Sequence, residues 1–230
     1  MSGPGTAPLF ALKDVVKEFT AAGRKVRVLD GVSFTVKPGE RIAVTGPSGS
    51  GKSTLLGLMA GLERPSSGGI LVKGEPTSAW DEDRLAAWRL RSVGFIFQNF
   101  RLVSSLTALE NVLVPLEIQG GDPAAIRERA ELVLRSLGLA GREGHFPPQL
   151  SGGEQQRVAI ARAHVHRPEV IFADEPTGSL DSRTADSIME RLLRINKEAG
   201  ASLVLVTHNP ELAGLMERSV ALEGGRLRSS

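Results

Sequence analysis

Short apolar runs alternate along this chain with segments of helical periodicity and with glycine-rich turns. Strands are predicted where the apolar runs are short or mix with charged residues, at residues 9–19, 26–36, 41–45, 93–98, 170–173 and 203–207. The stretch 63–75 is rich in proline, serine and glycine and predicts turns.

Helices are predicted where apolar residues recur at helical spacing. One begins after Asp122 and Pro123, which supply an N-cap and a first-turn proline, and ends at Gly138. Two others are predicted at 53–61 and 158–165. Strands alternating with helices around a helical middle favour one α/β domain with a parallel core sheet and a mostly helical insertion.

Composition excludes several classes of function. The 230 residues carry a net charge of +2, with no cysteine and no tyrosine. This charge is too small to indicate nucleic-acid binding, although the pI is near 9.2. The lack of cysteine excludes disulfides, thiolate catalysis and cysteine-bound zinc. No apolar run is long enough for a membrane span and MSGPGTAP does not resemble a signal peptide, so we expect any membrane role to act through a partner.

A phosphate-binding loop is predicted between the strand at 41–45 and the helix that follows. The segment GPSGSGKS matches G-x-x-x-x-G-K-[ST] in the strand–loop–helix context that the motif requires. Its glycines allow backbone N–H groups to surround a phosphate, Lys52 reaches the terminal phosphates, and the Ser53 hydroxyl is a candidate Mg²⁺ ligand. The candidate nucleotide contacts here are Gly46, Pro47, Ser48, Gly49, Ser50, Gly51, Lys52, Ser53 and Thr54.

Two carboxylates end the apolar strand at 170–173. Asp174 suits a contact with Mg²⁺, and Glu175 is placed to accept a proton from an attacking water. A solvated acidic strand end is the plainer interpretation, and the phosphate loop elsewhere in the chain favours the catalytic one.

The segment LSGGEQ has two interpretations. Ser151 and Glu154 have the spacing of a capping box, which describes an ordinary helix start. Gly152 and Gly153 between them leave the backbone bare, as an approaching phosphate requires.

LSGGEQQRVAIARA followed by FADEPTGSLD resembles the ATP-binding-cassette (ABC) ATPase family, and the resemblance covers nearly the whole chain. It implies a P-loop NTPase fold with a RecA-like parallel core, an N-terminal antiparallel β subdomain and a helical subdomain. The expected single domain spans 1–230, with the core at about 1–97 and 168–230 and the helical part at about 98–167.

The resemblance also implies roles for further residues. Gln98 matches the glutamine that contacts Mg²⁺, Asp181 lies in the segment that crosses to the opposing site, and His208 matches the histidine that contacts the γ-phosphate. Phe19 occupies the place of the aromatic residue that stacks on adenine, although many relatives have tyrosine there. Asn209 departs from the aspartate that often follows the histidine.

Family members work as head-to-tail dimers that hold two ATP molecules. The resemblance therefore implies ATP and Mg²⁺ as cofactors, with residues Ser151, Gly152, Gly153 and Glu154 of one copy closing over nucleotide held by the other. It implies a transmembrane permease docked near 101–116, a position at the cytoplasmic face of the inner or plasma membrane, and no nucleic acid as partner.

The motifs FIFQ, TALENV and PTGSLD resemble the branch of lipoprotein-releasing and macrolide-export ATPases, and equally the cell-division ATPase of that branch. The cell-division alternative transmits force through a membrane partner without moving a substrate. Two other classes stay open. One is a P-loop kinase, although a kinase has no use for a segment such as LSGGEQ. The other is a soluble ABC protein acting on DNA or ribosomes, although such proteins carry coiled coils or a second cassette.

Overall fold

The computed structural model of the protein describes residues 7–21 and 23–228. Residues 1–6, most of the N-terminal stretch considered above, lie outside the described residues. The described chain forms two units, one within 1–89 and 202–230 and the other within 90–201. The predicted helical subdomain, 98–167, falls within the second unit, and its boundaries stay a prediction.

An antiparallel sheet forms the N-terminal part of the first unit, as predicted. Its strands lie in the order β2-β1-β4-β5, with β1 at Phe10–Ala21, β2 at Arg24–Val36, β4 at Ser67–Val72 and β5 at Glu75–Pro76. Each neighbouring pair is antiparallel. Buried apolar residues of β1 and β2 are separated by more exposed positions, which is typical of a sheet with one covered face.

Strand β4 occupies part of the stretch 63–75 that the sequence predicts as turns, so that prediction is wrong for residues 67–72. Gly68 has a φ of 79°, and a Cβ there would lie 2.2 Å from the carbonyl oxygen of Asp14. The pairing of β1 with β4 shifts register just there, between Lys13 and Val16. The glycine therefore permits close approach of two strands at a bulge instead of a chain reversal.

The first unit also contains a set of mainly parallel strands. Strand β3 (Arg41–Thr45) pairs in parallel with β8 (Ser202–Val206) and with β9 (Arg218–Glu223), while β10 (Arg226–Arg228) is antiparallel to β9. All residues of β8 are buried, in keeping with the continuous apolar run that marked it as a parallel strand.

Three helices accompany these strands. Helix α1 (Lys52–Met59) follows β3, and α7 (Pro210–Gly214) follows β8. Helix α2 (Glu82–Ser92) leads the chain into the second unit. The predicted α1 is confirmed, and it begins one residue earlier than its apolar periodicity indicates.

The second unit combines two parallel strands with four helices. Strand β6 pairs with β7 in parallel. The elements are β6 (Val93–Ile96), α3 (Ala108–Gln119), α4 (Pro123–Ser136), α5 (Gly152–His164), β7 (Val170–Asp174) and α6 (Ser182–Ala199). Helix α4 has the predicted N-cap, since the Asp122 side chain accepts from the Ala125 N–H at 2.9 Å.

Helix α5 is longer than its predicted span of 158–165. It starts at Gly152 because Ser151 and Glu154 form a capping box that satisfies the first N–H groups of the helix. The two glycines of the LSGGEQ segment thus lie in the first turn of a helix.

No helix within 7–21 and 23–228 is both long and apolar enough to cross a lipid bilayer.

Candidate active site

The loop between β3 and α1 has the shape that a phosphate requires. Gly46 has a φ of 144°, and a Cβ on it would lie 2.1 Å from the Leu222 carbonyl oxygen, so no other residue fits. Gly51 caps α1 in the left-handed conformation. Pro47, Ser48 and Gly49 are exposed at the tip of the loop. The N–H groups of the first turn of α1 have no partner within their own helix and are available to an anion.

Lys52 is folded back over this loop. Its Nζ donates to the carbonyl oxygens of Gly46 at 2.8 Å and Pro47 at 2.9 Å. The Ser50 hydroxyl is buried, and no described residue forms a hydrogen bond with it. A buried ammonium and an unpartnered hydroxyl inside a glycine-lined loop fit an anionic ligand, because both groups gain a strong acceptor when one binds.

Two more predicted contacts lie in the first unit. His208, directly after β8 and the buried Thr207, lines an open pocket together with Thr45, the last residue of β3. Phe19 on β1 is 39% exposed, and Lys17 Nζ lies 4.8 Å from its ring centroid. The exposed ring is available for stacking, and its contact with adenine stays a prediction.

Asn209, the departure from the family pattern, caps helix α7. Its side-chain oxygen accepts from the Glu211 N–H at 2.8 Å. The substitution therefore keeps an N-cap function directly after His208.

The predicted acidic pair lies at the end of β7 in the second unit. Asp174 is the last residue of the strand, and both carboxylates are half-buried. Glu175 has a φ of 46°, a conformation that non-glycine residues seldom adopt. The backbone therefore turns sharply at Glu175, and the turn is closed by the Gly178 N–H, which donates to the Glu175 carbonyl oxygen at 3.1 Å.

Gln98 lies against the segment that follows Glu175. The Ser179 hydroxyl donates to the Gln98 carbonyl oxygen at 3.3 Å. A Cβ on Gly178 would be 2.9 Å from Gln98 Nε2, so the glycine leaves room for the amide. The second unit thus brings together Gln98 and the residues just after the acidic pair.

Ser151 and Glu154 form the capping box that their spacing indicates. The Ser151 N–H donates to Glu154 Oε2 at 2.8 Å, and the Glu154 N–H donates to Ser151 Oγ at 3.3 Å. Arg142 Nε donates to the other Glu154 oxygen at 2.9 Å. The backbone N–H of Ser151, opposed by burial and aided by Arg142, holds the pKa of Glu154 below its ordinary value. Both carboxylate oxygens are therefore engaged, and the predicted contact of Glu154 with nucleotide stays a prediction.

The two glycines of the LSGGEQ segment, here called the signature, differ in their surroundings. A Cβ on Gly153 would lie 2.7 Å from Thr184 Cγ2, whereas a Cβ on Gly152 would meet Leu180 Cδ2 at an ordinary 3.5 Å. The start of α6 therefore explains why position 153 is glycine. Nothing in the fold requires glycine at 152, which is exposed.

Asp181 is the N-cap of α6. Its two oxygens accept from the Thr184 N–H at 3.0 Å and the Thr184 hydroxyl at 2.7 Å. These hydrogen bonds lower the pKa of Asp181. The carboxylate is exposed and ionised, with a fixed orientation.

Two side chains of α5 that sequence reasoning did not select also contact these segments. Gln156 is fully buried, and its Nε2 donates to the carbonyl oxygen of Pro176, the residue after Glu175, at 2.6 Å. Arg162 donates to the carbonyl oxygens of Phe100 and Arg101. In the sequence, Gln156 shares a helical face with Ala159, Ile160 and Ala163, and a polar residue on such an apolar face is the one signal for its role.

The predicted docking segment, 101–116, is partly core. Most of its apolar residues on α3 are buried, among them Leu109, Val112, Leu113 and Leu116. Asn111 holds the preceding turn by accepting from the Val103 N–H at 2.8 Å and donating to three carbonyl oxygens. Val103 itself is 46% exposed. The most exposed apolar side chain of this segment therefore lies in the turn before α3.

Within the described residues, no three histidine, aspartate or glutamate side chains gather as metal ligands. A Mg²⁺ ion held by one hydroxyl, one carboxylate, water and phosphate oxygens does not need such a group. The exposed hydroxyl of Ser53, on the first turn of α1, fits that donor set.

Several known proteins are similar to this chain over most of its length. A family model described as ABC transporter matches residues 29–178. A lipoprotein-releasing system ATP-binding protein, LolD, of Idiomarina loihiensis is 45% identical over 222 residues, which cover 96% of this chain and 97% of that protein. An uncharacterised ABC transporter ATP-binding protein, YbbA, of Escherichia coli is 48% identical, over 89% of this chain and 90% of that protein.

Solved structures give the same result for the fold. The ATP-binding cassette MJ0796, a dimer in a post-hydrolysis state bound to ADP and Pi, aligns with a TM-score of 0.89 and 39% identity, covering 96% of this chain and 97% of that one. CbiO1 of Clostridium perfringens, part of the transporter complex CbiONQ, aligns with a TM-score of 0.86 and 27% identity, covering 97% of this chain and 88% of that one.

Proposed function

Because the chain belongs to the ABC transporter ATP-binding family, we propose that this ATP-hydrolysing subunit drives lipoprotein release or export through a membrane permease. The observation that carries the proposal is the match to lipoprotein-releasing ATPases over 96–97% of the chain. The shape of the loop at Gly46–Lys52 supports the energy source, since it fits an anionic ligand.

We assign the chemistry to residues of both units. Lys52 and the N–H groups at the start of α1 bind the phosphates, and Phe19 stacks on the base. Glu175 accepts a proton from the attacking water, and His208 contacts the γ-phosphate. The sharp turn at Glu175 supports its role, because strained backbone at a site is retained where geometry matters.

Ser53, Gln98 and Asp174 are proposed to hold Mg²⁺ with the phosphates. When bound, Mg²⁺ neutralises charge on the phosphate oxygens. The chain's own contribution is orientation: Ser53 is fixed by α1, Asp174 by β7, and Gln98 by its contacts with Gly178 and Ser179.

A homodimer follows from the same assignment. Ser151 is exposed at the start of α5, and we propose that it contacts a phosphate of the partner copy. Gly152 is exposed beside it. The dimeric assembly of the related cassette MJ0796 supports this arrangement.

The permease is proposed to bind the turn at 101–107, at the cytoplasmic face of the membrane. The exposed Val103, held in place by Asn111, supports this turn as the contact. Purification of the tagged chain from membranes tests the proposal. We expect a multi-spanning partner with a large extracytoplasmic domain, and ATP-dependent release of an acylated protein from vesicles that contain both proteins.

Val103→Asp is expected to lower capture of that partner by tenfold or more, since one charge is buried in an apolar contact (a cost of about 2 kcal/mol or more). Leu132→Asp, at a position 53% exposed on α4, is the matched control and should capture normally. Equal capture by both variants would move the docking surface elsewhere, and release without ATP hydrolysis would contradict the function.

A further inference from the structure

Two consecutive residues after Gln98 adopt a backbone conformation that non-glycine residues avoid. Phe100 has a φ of 54° and Arg101 a φ of 47°. Each side chain crowds its own backbone in this left-handed region, so local preference favours a different path. The turn therefore depends on contacts from elsewhere in the second unit.

Arg162, in the last turn of α5, supplies those contacts. Its Nη2 donates to the Phe100 carbonyl oxygen at 2.9 Å, and its Nη1 donates to the Arg101 carbonyl oxygen at 2.7 Å. A planar guanidinium has two parallel N–H groups, and two successive carbonyls in a left-handed turn present acceptors to both. A lysine ammonium cannot reproduce this pairing with the same geometry.

The Arg162 guanidinium is half-buried, and its burial lowers its pKa from the ordinary arginine value. Taking a cation out of water is costly unless acceptors compensate. The two carbonyls are such acceptors, so the arginine and the turn stabilise each other.

The turn is also tied to Gln98 on its other side. The Arg101 guanidinium lies 4.6 Å from the ring centroid of Phe97, which directly precedes Gln98. Gln98 itself is held at its carbonyl oxygen by Ser179. The backbone on both sides of Gln98 is thus fixed, by α5 through residues 100–101 and by the segment after Glu175.

We propose that Arg162 is a positioning residue for ATP hydrolysis: by holding the left-handed turn at Phe100–Arg101, it sets where Gln98 presents its side chain. The proposal rests on the role proposed above for Gln98 as a Mg²⁺ ligand. Because Arg162 and the signature residues Ser151–Gly153 belong to one helix, a displacement of α5 shifts Gln98 as well.

The first test uses the nucleotide-free protein and does not depend on activity. Hydrogen exchange of the amides at 99–103 is measured by mass spectrometry in Arg162→Met, Arg162→Gln and Arg162→Lys. We expect exchange to rise at least tenfold in Arg162→Met and less in Arg162→Gln, which keeps a side-chain donor. Arg135→Met, an exposed arginine at the end of α4, is the matched control and should exchange like the parent.

The second test separates positioning from folding. In Arg162→Met we expect kcat to fall by about 10- to 100-fold, as for residues that orient a metal ligand. The Mg²⁺ concentration for half-maximal rate should rise, while KM for ATP stays within about twofold because Lys52 and its loop are unchanged. Arg162→Lys should recover part of kcat.

Gln98→Ala distinguishes this inference from the proposed role of Gln98. If Gln98→Ala keeps the parent rate and Mg²⁺ response, the role of Gln98 fails. If Gln98→Ala is impaired and Arg162→Met is not, or if exchange at 99–103 is unchanged in every Arg162 variant, the positioning role is wrong. Should Arg162→Met fail to fold, Arg162→Gln and Arg162→Lys decide by the same measurements.

Discussion

Several residues of the candidate site cap a helix and are also proposed to contact a ligand. Ser151 and Asp181 are both N-caps, with side chains fixed by hydrogen bonds to residues three positions later. Such caps orient an oxygen at a helix start without further contacts. The two helix starts lie close together, so there is little space between Gly153 and Thr184.

The closeness of Gly153 to Thr184 predicts opposite effects of alanine at neighbouring positions. Gly153→Ala places a methyl group 2.7 Å from Thr184 Cγ2, and Thr184 cannot rotate away without losing its hydrogen bond to Asp181. We expect thermal unfolding to show a loss of about 1 kcal/mol, from overpacking partly offset by helix propensity. Gly152→Ala should match or exceed the parent.

Thr184→Ser is the matched second change, because it removes Cγ2 and keeps the hydroxyl. Gly153→Ala combined with Thr184→Ser should be no less stable than Thr184→Ser alone. Persistence of the full loss in the double variant would show that the clash is not its cause.

Helix α5 connects more of the candidate site than any other element of the second unit. Its first turn carries the signature glycines, Gln156 holds the residue after Glu175, and Arg162 holds the turn after Gln98. Its last turn carries His164, at the end where the helix dipole favours a cation by about 0.3–1 kcal/mol. Burial, together with the charges of Arg129, His166 and Arg167, instead lowers the pKa of His164 to about 4 from 6.5.

Because the His164 pKa is lowered in the folded protein, we expect the protein to lose stability in mild acid. The imidazole pKa is lower in the folded state than in the unfolded state, so the unfolded state binds the extra proton. Stability is therefore complete above pH 6.5 and falls by about 1.4 kcal/mol per pH unit between 6.5 and 4. Urea unfolding at a series of pH values measures this slope.

His164→Gln is expected to reduce the slope by one proton, since glutamine does not titrate. His166 lies near it, and its pKa is also lowered by burial, so part of the slope should remain. Leu132→Gln, at an exposed position of α4, serves as the control and should retain the parent slope. An unchanged slope in His164→Gln would mean that another group takes up the proton.

At the scale of the whole molecule, the proposed contacts divide between the two units. The phosphate loop, Phe19 and His208 belong to the first, and Gln98, Asp174, Glu175 and the signature belong to the second. In the proposed homodimer, the exposed signature of one copy completes the site of the other. Nucleotide binding and dimer formation are therefore expected to respond to different substitutions.

Glu175→Gln provides the background for testing this separation. It should bind ATP normally, lose nearly all turnover, and form an ATP-dependent dimer in size-exclusion chromatography, because the proton acceptor is removed while the phosphate contacts remain. Adding Ser151→Arg should abolish the dimer and leave ATP binding by the monomer unchanged.

Ala124→Arg, at an exposed position of α4, adds the same charge in the same background and should leave the dimer intact. Equal loss of monomer ATP affinity in Ser151→Arg would place Ser151 in the site of its own chain. Parent turnover in Glu175→Gln would remove Glu175 from its role.

The sequence by itself determined the features that depend on neighbours along the chain. The loop at Gly46–Lys52, the N-caps Asp122 and Ser151, and the buried strands β3, β7 and β8 follow from local motifs and apolar runs. Each requires only a few adjacent residues, so one sequence suffices to predict it. The likeness to a known family added the roles proposed for Gln98 and His208, which no local pattern indicates.

Only the tertiary structure decided which distant residues meet. Arg162 lies 61 positions from Arg101 and Gln156 lies 20 positions from Pro176, and neither pairing leaves a periodic signal in the sequence. Strand β4 was missed for the same reason, because Gly68 reflects a close approach to Asp14 and not a turn. Local pattern fixes what a segment can form, whereas packing determines which backbone groups a side chain reaches.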